Sequence, residues 1–152
     1  MDTFLEKIPS EMLQLLAEIA YVGANNGFPN ESRAIFEAIV QARPDSLDAR
    51  IAQGAGLIFS SNVTEGVRTL FSVLAKDPQN EMARSFLAIA FKMTHVDQHA
   101  ISAAESVVKL GKNPSAKQLA QVILDSYQKP LSPMELQAKQ MEQHLHVDVS
   151  TL

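Results

Sequence analysis

The chain has 152 residues, a formal net charge of −4 and a pI near 5.5. Its Lys and Arg residues are scattered, so it lacks the basic surface that nucleic-acid binding requires, and we expect no nucleic-acid partner. It contains no cysteine, which excludes disulfides, thiolate metal sites and a cysteine nucleophile. No stretch approaches 18 consecutive apolar residues, and residues 1–10 do not match a secretory signal. We therefore expect no membrane span.

Apolar residues recur at helical spacing along the chain, which predicts an all-α fold. The predicted helices cover residues 10–24, 30–43, 46–60, 63–76, 79–94, 97–111, 114–128 and 133–145. Asp45, Asn113 and Ser132 are suitable N-caps. Pro114 and Pro133 follow two of these caps at the first helical position, where the missing N–H costs little. Ser132 also has a glutamate three residues later, which matches a capping box.

An internal repeat organises these helices. Pro44 and Pro78 are 34 residues apart, which is the tetratricopeptide period, and three units then start at Leu13, Leu47 and Glu81. Positions 8 and 20 of each unit, where paired helices would cross closely, hold only small residues. They are Ala20, Gly54 and Ala88, then Ser32, Gly66 and Ala100. We therefore predict three tetratricopeptide-type helical hairpins, stacked as a short right-handed solenoid with a C-terminal capping helix. The alternative is a helical bundle in which the proline spacing is a coincidence.

The domain prediction divides the chain at residue 128. Residues 1–128 form the tetratricopeptide-like helical domain, and residues 129–152 form a linker and an amphipathic tail helix. Met134, Ala138, Met141 and Leu145 fall near one face of that tail helix. Three roles for the tail stay open: packing on the last repeat, occupying the chain's own groove, or docking on a partner. Occupation of the groove would also allow dimers to form by exchange of tails.

The first helix of each hairpin is expected to line a concave face. Several positions on that face are apolar, and an apolar patch of this kind marks a groove for an amphipathic helix. The candidate contact residues are Tyr21, Ile51, Ile58, Phe59, Met82, Ile89, Lys92 and Met93. The alternative is that some of them belong to the core between helices, because an error of one position in the register turns them inward.

Catalytic motifs are not evident. The chain has no Gly-rich phosphate loop and no G-x-S-x-G elbow. His95 and His99 have a spacing of four, but a predicted helix break lies between them and no other ligand completes a metal site. We therefore expect a protein that is not an enzyme and that uses no cofactor and no metal.

The residues LAEIA at positions 16–20, followed by Val22-Gly23 and a turn, are similar to the opening of small tetratricopeptide proteins of bacterial type III secretion. One such group, the YscG-like chaperones, holds the needle subunit. A related Hrp group of plant pathogens has an Arg-Pro after its second helix, like Arg43-Pro44 here. The similarity is best over residues 13–44. Asp48-Ala49-Arg50, with Gly54 and Gly56 after it, also resembles the class that chaperones translocator proteins.

The resemblance implies a chaperone in the bacterial cytoplasm. Its partner would be an amphipathic helix of a secreted needle or translocator subunit, held in the groove so that premature self-association is blocked. A second small co-chaperone is an additional expected partner, and a homodimer is left open. The alternative is a permanent scaffold or adaptor subunit of a larger assembly.

Overall fold

A computed structural model describes residues 7–128 and 132–149 of the chain. The helices are α1 (Ser10–Asn25), α2 (Pro29–Ala42), α3 (Leu47–Phe59), α4 (Val63–Lys76), α5 (Glu81–Met93), α6 (Asp97–Leu110), α7 (Pro114–Tyr127) and α8 (Pro133–Val149). These residues contain no β-strand. The predicted all-α class is confirmed, and the first seven helices end within two residues of their predicted bounds.

Side chains cap the helices mostly where the sequence predicted. Asn113 accepts a hydrogen bond from a backbone N–H in the first turn of α7 at 3.0 Å. Ser132 and Glu135 form the reciprocal capping box of α8, with bonds of 3.3 and 2.8 Å. The cap predicted at Asp45 is wrong, because Asp45 lies in the turn before α3. Ser46 follows it in extended conformation and its hydroxyl accepts from the first turn of α3.

The 34-residue period is visible in the helix starts. α2, α4 and α6 begin at Pro29, Val63 and Asp97, which are spaced by 34 residues. α3 and α5 begin at Leu47 and Glu81, with the same spacing. The period read from the prolines is therefore a period of the helices themselves.

Each helix from α1 to α6 packs against the next one along the chain. The odd-numbered helices also contact one another in succession, from α1 to α3, α5 and α7, and α7 returns to contact α1. Their facing side chains form one hydrophobic core cluster. We call α1, α3, α5 and α7 the inner helices, since they contact one another and the even-numbered helices do not show such mutual packing.

Helices α3 and α4 cross closely. A Cβ atom added to Gly66 would lie 2.7 Å from the carbonyl oxygen of Gly54 and 2.6 Å from the side chain of Ile58. The six small residues predicted at unit positions 8 and 20 are all buried. Small side chains at these points let the paired backbones approach, as the repeat pattern predicted.

Two parts of the domain prediction fall outside the described residues. Most of the linker expected before α8, residues 129–131, lies there, and so do residues 150–152 at the end of the tail. The boundary at residue 128 therefore stays a prediction.

Candidate functional site

The inner face expected to form an open groove is filled by the protein's own core. The prediction that its apolar members are accessible is wrong, because the inner helices pack directly on one another. Five of the eight candidate residues are buried, with at most 8% of their surface exposed: Tyr21, Ile51, Ile58, Met82 and Ile89. The alternative stated for the sequence, that these residues belong to the core between helices, is the one the structure shows.

The other three candidates do not form a continuous surface. Phe59 is half-buried, and its ring lies 5.7 Å from that of Tyr21 and 6.0 Å from that of Phe36. Lys92 is half-buried and its ammonium is engaged by α7. Met93 is exposed at 46%, the highest value among the eight. One exposed side chain does not make a groove.

α7 closes the inner face by contacts at both ends. At its start, Asn113 donates a hydrogen bond to the side chain of Gln14 in α1, at 2.5 Å and across 99 positions of sequence. Ser85 of α5, fully buried, donates to the backbone carbonyl of Ala116 at 2.8 Å. Glu81 accepts from the backbone N–H groups of residues 112 and 113, both at 2.7 Å. α7 therefore occupies the place that a partner helix was predicted to take.

At the other end of α7, four polar side chains connect three helices. Lys92 donates to the hydroxyl of Ser126 and lies 5.4 Å above the centroid of the Tyr127 ring. The Tyr127 hydroxyl donates to Asp97 at 2.8 Å. Desolvation, the hydrogen bond to Asp97 and the negative charge of that carboxylate raise the pKa of Tyr127 to about 12. Lys92 thus serves internal packing instead of the partner contact predicted for it.

A different apolar surface runs along α1. Met12, Leu15, Ile19 and Val22 are exposed at 52, 49, 48 and 48%. Their spacing of three, four and three residues is the a/d pattern with which helices pack on helices in coiled coils. We call these four residues the α1 seam. Phe28, exposed at 56% just before α2, extends it at one end.

The opposite face of α1 belongs to the core, where Leu13, Ala17 and Ala20 are buried. α1 is thus apolar on two faces, which a helix with one buried face does not need. Sequence reasoning missed the seam because it assigned partner binding to the inner face alone. The a/d spacing of the four residues was the signal that would have identified it.

Arg43 fixes the start of α1. Its guanidinium donates to the Ser10 hydroxyl at 3.0 Å and to the backbone carbonyl of Ile8. Bonds to the charged, planar guanidinium are stronger and more directional than neutral ones. The Arg-Pro noted after the second helix therefore anchors the helix that carries the seam.

Acidic side chains accompany the seam on one side. Glu11 is exposed and Glu18 is half-buried, one heptad further along. Glu18, Leu15, Ile19 and Val22 belong to the lining of a shallow cleft of about 550 Å³ that reaches Phe28. Within residues 7–128 and 132–142, the one ion pair joins Arg68 to Glu65, so no described cation lies within 4 Å of Glu18.

A second cleft, of about 480 Å³, lies between α2 and α3. Its apolar floor includes Phe36 and Val40, and its rim carries Arg33 and Glu37. Gly56 lies in this cleft, and a Cβ atom there would meet only the Cβ of Phe36, at an ordinary 3.7 Å. The glycine is therefore not required by a close approach of the backbones.

The described part of the tail helix does not pack on the last repeat, which was one of the three roles left open by its sequence. The side chains of residues 132–142 are all exposed, and Met134 and Met141 reach 81 and 67%. Neither packing on the last repeat nor occupation of the inner face is seen for this part of α8. The side chain of Leu145, the fourth residue of the predicted apolar face, lies outside the described part.

No helix within the described ranges is both long and apolar enough to cross a bilayer. Comparison with known proteins finds no match among curated proteins and none among solved structures. A family model, described as bacterial type III secretion protein (HrpB1_HrpK), matches residues 4–129. The similarity to type III secretion proteins, noted first over residues 13–44, thus extends over helices α1 to α7. The chain belongs to the HrpB1_HrpK family of bacterial type III secretion proteins.

Proposed function

We propose that this protein is a cytoplasmic chaperone of type III secretion that binds an amphipathic helix of a secreted subunit on the α1 seam. The seam carries the proposal: four apolar side chains at a/d spacing, about half exposed, lie on a helix whose other face is already buried. An apolar stripe with this spacing is complementary to the apolar face of another helix. Membership in a secretion family supports a protein as the partner.

The scaffold for this surface is proposed to be a tetratricopeptide-type array. Three observations support it: helix starts that recur every 34 residues, small residues at the helix crossings, and packing of each of the first six helices on its successor. The contact of α7 with α1 would make the array more tightly curved than an open solenoid. Binding is accordingly assigned to a flank of the first helix and not to the concave face.

A permanent scaffold subunit is the second candidate, and the size of the seam favours the chaperone. Obligate interfaces bury large, strongly apolar areas. The seam spans eleven residues of α1, about 15 Å at the rise of an α-helix, and offers only four half-exposed side chains. A contact of this size suits a client that is bound and later released.

The test is capture of the partner by wild type and by one seam variant. Ile19→Asp places a charge in the middle of the seam, at a half-exposed position where folding tolerates it. We expect the tagged wild type to recover one small secreted helical protein from the cytosol of its native bacterium, identified by mass spectrometry. The variant should lose at least about tenfold in affinity for it, because a carboxylate would have to be desolvated in an apolar contact.

Phe71→Asp is the matched control, since Phe71 is 51% exposed on α4, outside the seam. It should bind like wild type, and all three proteins should have the same helical circular dichroism. Equal capture by wild type and Ile19→Asp would show that the seam is not part of the binding site. Recovery of many subunits of one membrane-associated machine would favour the permanent scaffold.

A further inference from the structure

The charges beside the α1 seam restrict the kind of helix that fits it. Glu11 and Glu18 are seven residues apart, so both lie on the same side of the seam, separated by about 10 Å along the helix. Glu18 is half-buried at the edge of an apolar cleft and has no cation within 4 Å among the described side chains. When an apolar partner covers a carboxylate in that position, the carboxylate loses its hydration. This desolvation costs free energy unless the partner supplies a positive charge.

The chain itself carries no suitable occupant on its described apolar helix faces. The exposed apolar residues of α8 include Met134, Leu136 and Met141. The helix also carries Glu135 and Glu142, one heptad apart, with Lys139 between them. Docking of α8 would therefore bring two carboxylates and a single lysine, which does not neutralise Glu11 and Glu18. A second copy of α1 packed antiparallel would place Glu18 near its own counterpart. Like charges that face each other across an interface disfavour association.

From these observations, and resting on the function proposed above, we infer that the partner is a basic amphipathic helix from another protein. Its apolar residues follow the a/d pattern, and two Lys or Arg residues one heptad apart lie beside that stripe, opposite Glu11 and Glu18. The apolar contact supplies most of the affinity. The two charge pairs set the specificity and the orientation of the bound helix.

Two synthetic helical peptides test the inference against the full-length protein. Both are 21-residue helices with the same Leu and Ala residues at a and d positions. One carries lysine and the other glutamate at two flanking positions one heptad apart. Binding is followed by isothermal titration calorimetry at low and high salt. We expect the lysine peptide to bind at least about tenfold more tightly than the glutamate peptide, and this difference to shrink as salt screens the charges.

Charge reversal in the protein makes the test reciprocal. The double variant Glu11→Lys, Glu18→Lys should prefer the glutamate peptide, while its circular dichroism and melting temperature stay those of a folded protein. Ile19→Asp should weaken the binding of both peptides, because the apolar contact is lost in each case. If both peptides bind wild type with the same affinity and Ile19→Asp abolishes both, the seam is a docking site and the charge inference is wrong.

Two further outcomes would reject more than the charge inference. Failure of both peptides to bind, together with capture of the native partner by Ile19→Asp, would reject the proposed function as well. A wild-type dimer seen by light scattering and dissociated by Ile19→Asp would assign the seam to a second copy and reject a foreign basic helix.

Discussion

Ile89→Asp is expected to unfold the protein. Ile89 is on α5 with 4% of its surface exposed, and it belongs to the core cluster that joins the inner helices. A carboxylate there would be buried among apolar side chains without a partner, which is among the most destabilising changes a core can receive. We expect a loss of at least about 4 kcal/mol of unfolding free energy, measured by urea denaturation followed by far-ultraviolet circular dichroism.

Met93→Asp is the control for this substitution. Met93 lies four residues further along α5, on the same turn-to-turn row, but 46% of its surface is exposed. Its replacement should change the unfolding free energy by less than about 1 kcal/mol. If Ile89→Asp instead stays fully helical with an unchanged midpoint, the inner face must be accessible, and the concave groove predicted from the sequence would return as the binding site.

Gly66→Ala is expected to destabilise the crossing of α3 and α4. The added methyl group would come within 2.7 Å of a backbone carbonyl of the neighbouring helix, and backbone atoms can move away only if the helices separate. Overpacking of this kind costs about 1–3 kcal/mol, and the better helix propensity of alanine recovers only part of it. We expect the thermal midpoint to fall by about 3–8 °C in differential scanning calorimetry.

Gly56→Ala provides the opposite result within the same pair of helices. Its methyl group would meet only Phe36, at normal van der Waals distance. The gain in helix propensity is therefore not offset by overpacking. Stability should rise by about 0.5–1 kcal/mol. If both alanine variants melt at the same temperature, the close approach at Gly66 is not a determinant of the fold.

The local structure was predictable because its causes are local. Apolar spacing, N-caps and turn residues determine where a helix starts and ends. Both ends of the first seven helices were predicted from them to within two residues. The small residues at the crossings were predictable for a similar reason, since they recur with the helices at a fixed period. Even the misplaced cap, Asp45 for Ser46, is an error of only one residue.

The accessible surface was less predictable, because it depends on how far the helices curve back on themselves. Curvature accumulates from small rotations at every crossing, and no single residue encodes the sum. The contact of Asn113 with Gln14 joins positions 99 residues apart. Because the inner helices close on one another, the predicted groove is core, and the seam on α1 is an apolar surface that remains exposed.

That contact also bears on how the protein is made. Synthesis proceeds from the N-terminus, so α1 to α6 leave the ribosome before α7 does. Until residues 114–127 emerge, the faces of α1 and α5 that pack on α7 have no partner, and the nascent chain presents an apolar surface. The last steps of folding must close a loop of about a hundred residues, which is slow compared with the formation of local helical pairs. A fragment ending near residue 110 should therefore aggregate or bind general chaperones, although it contains all three predicted repeats.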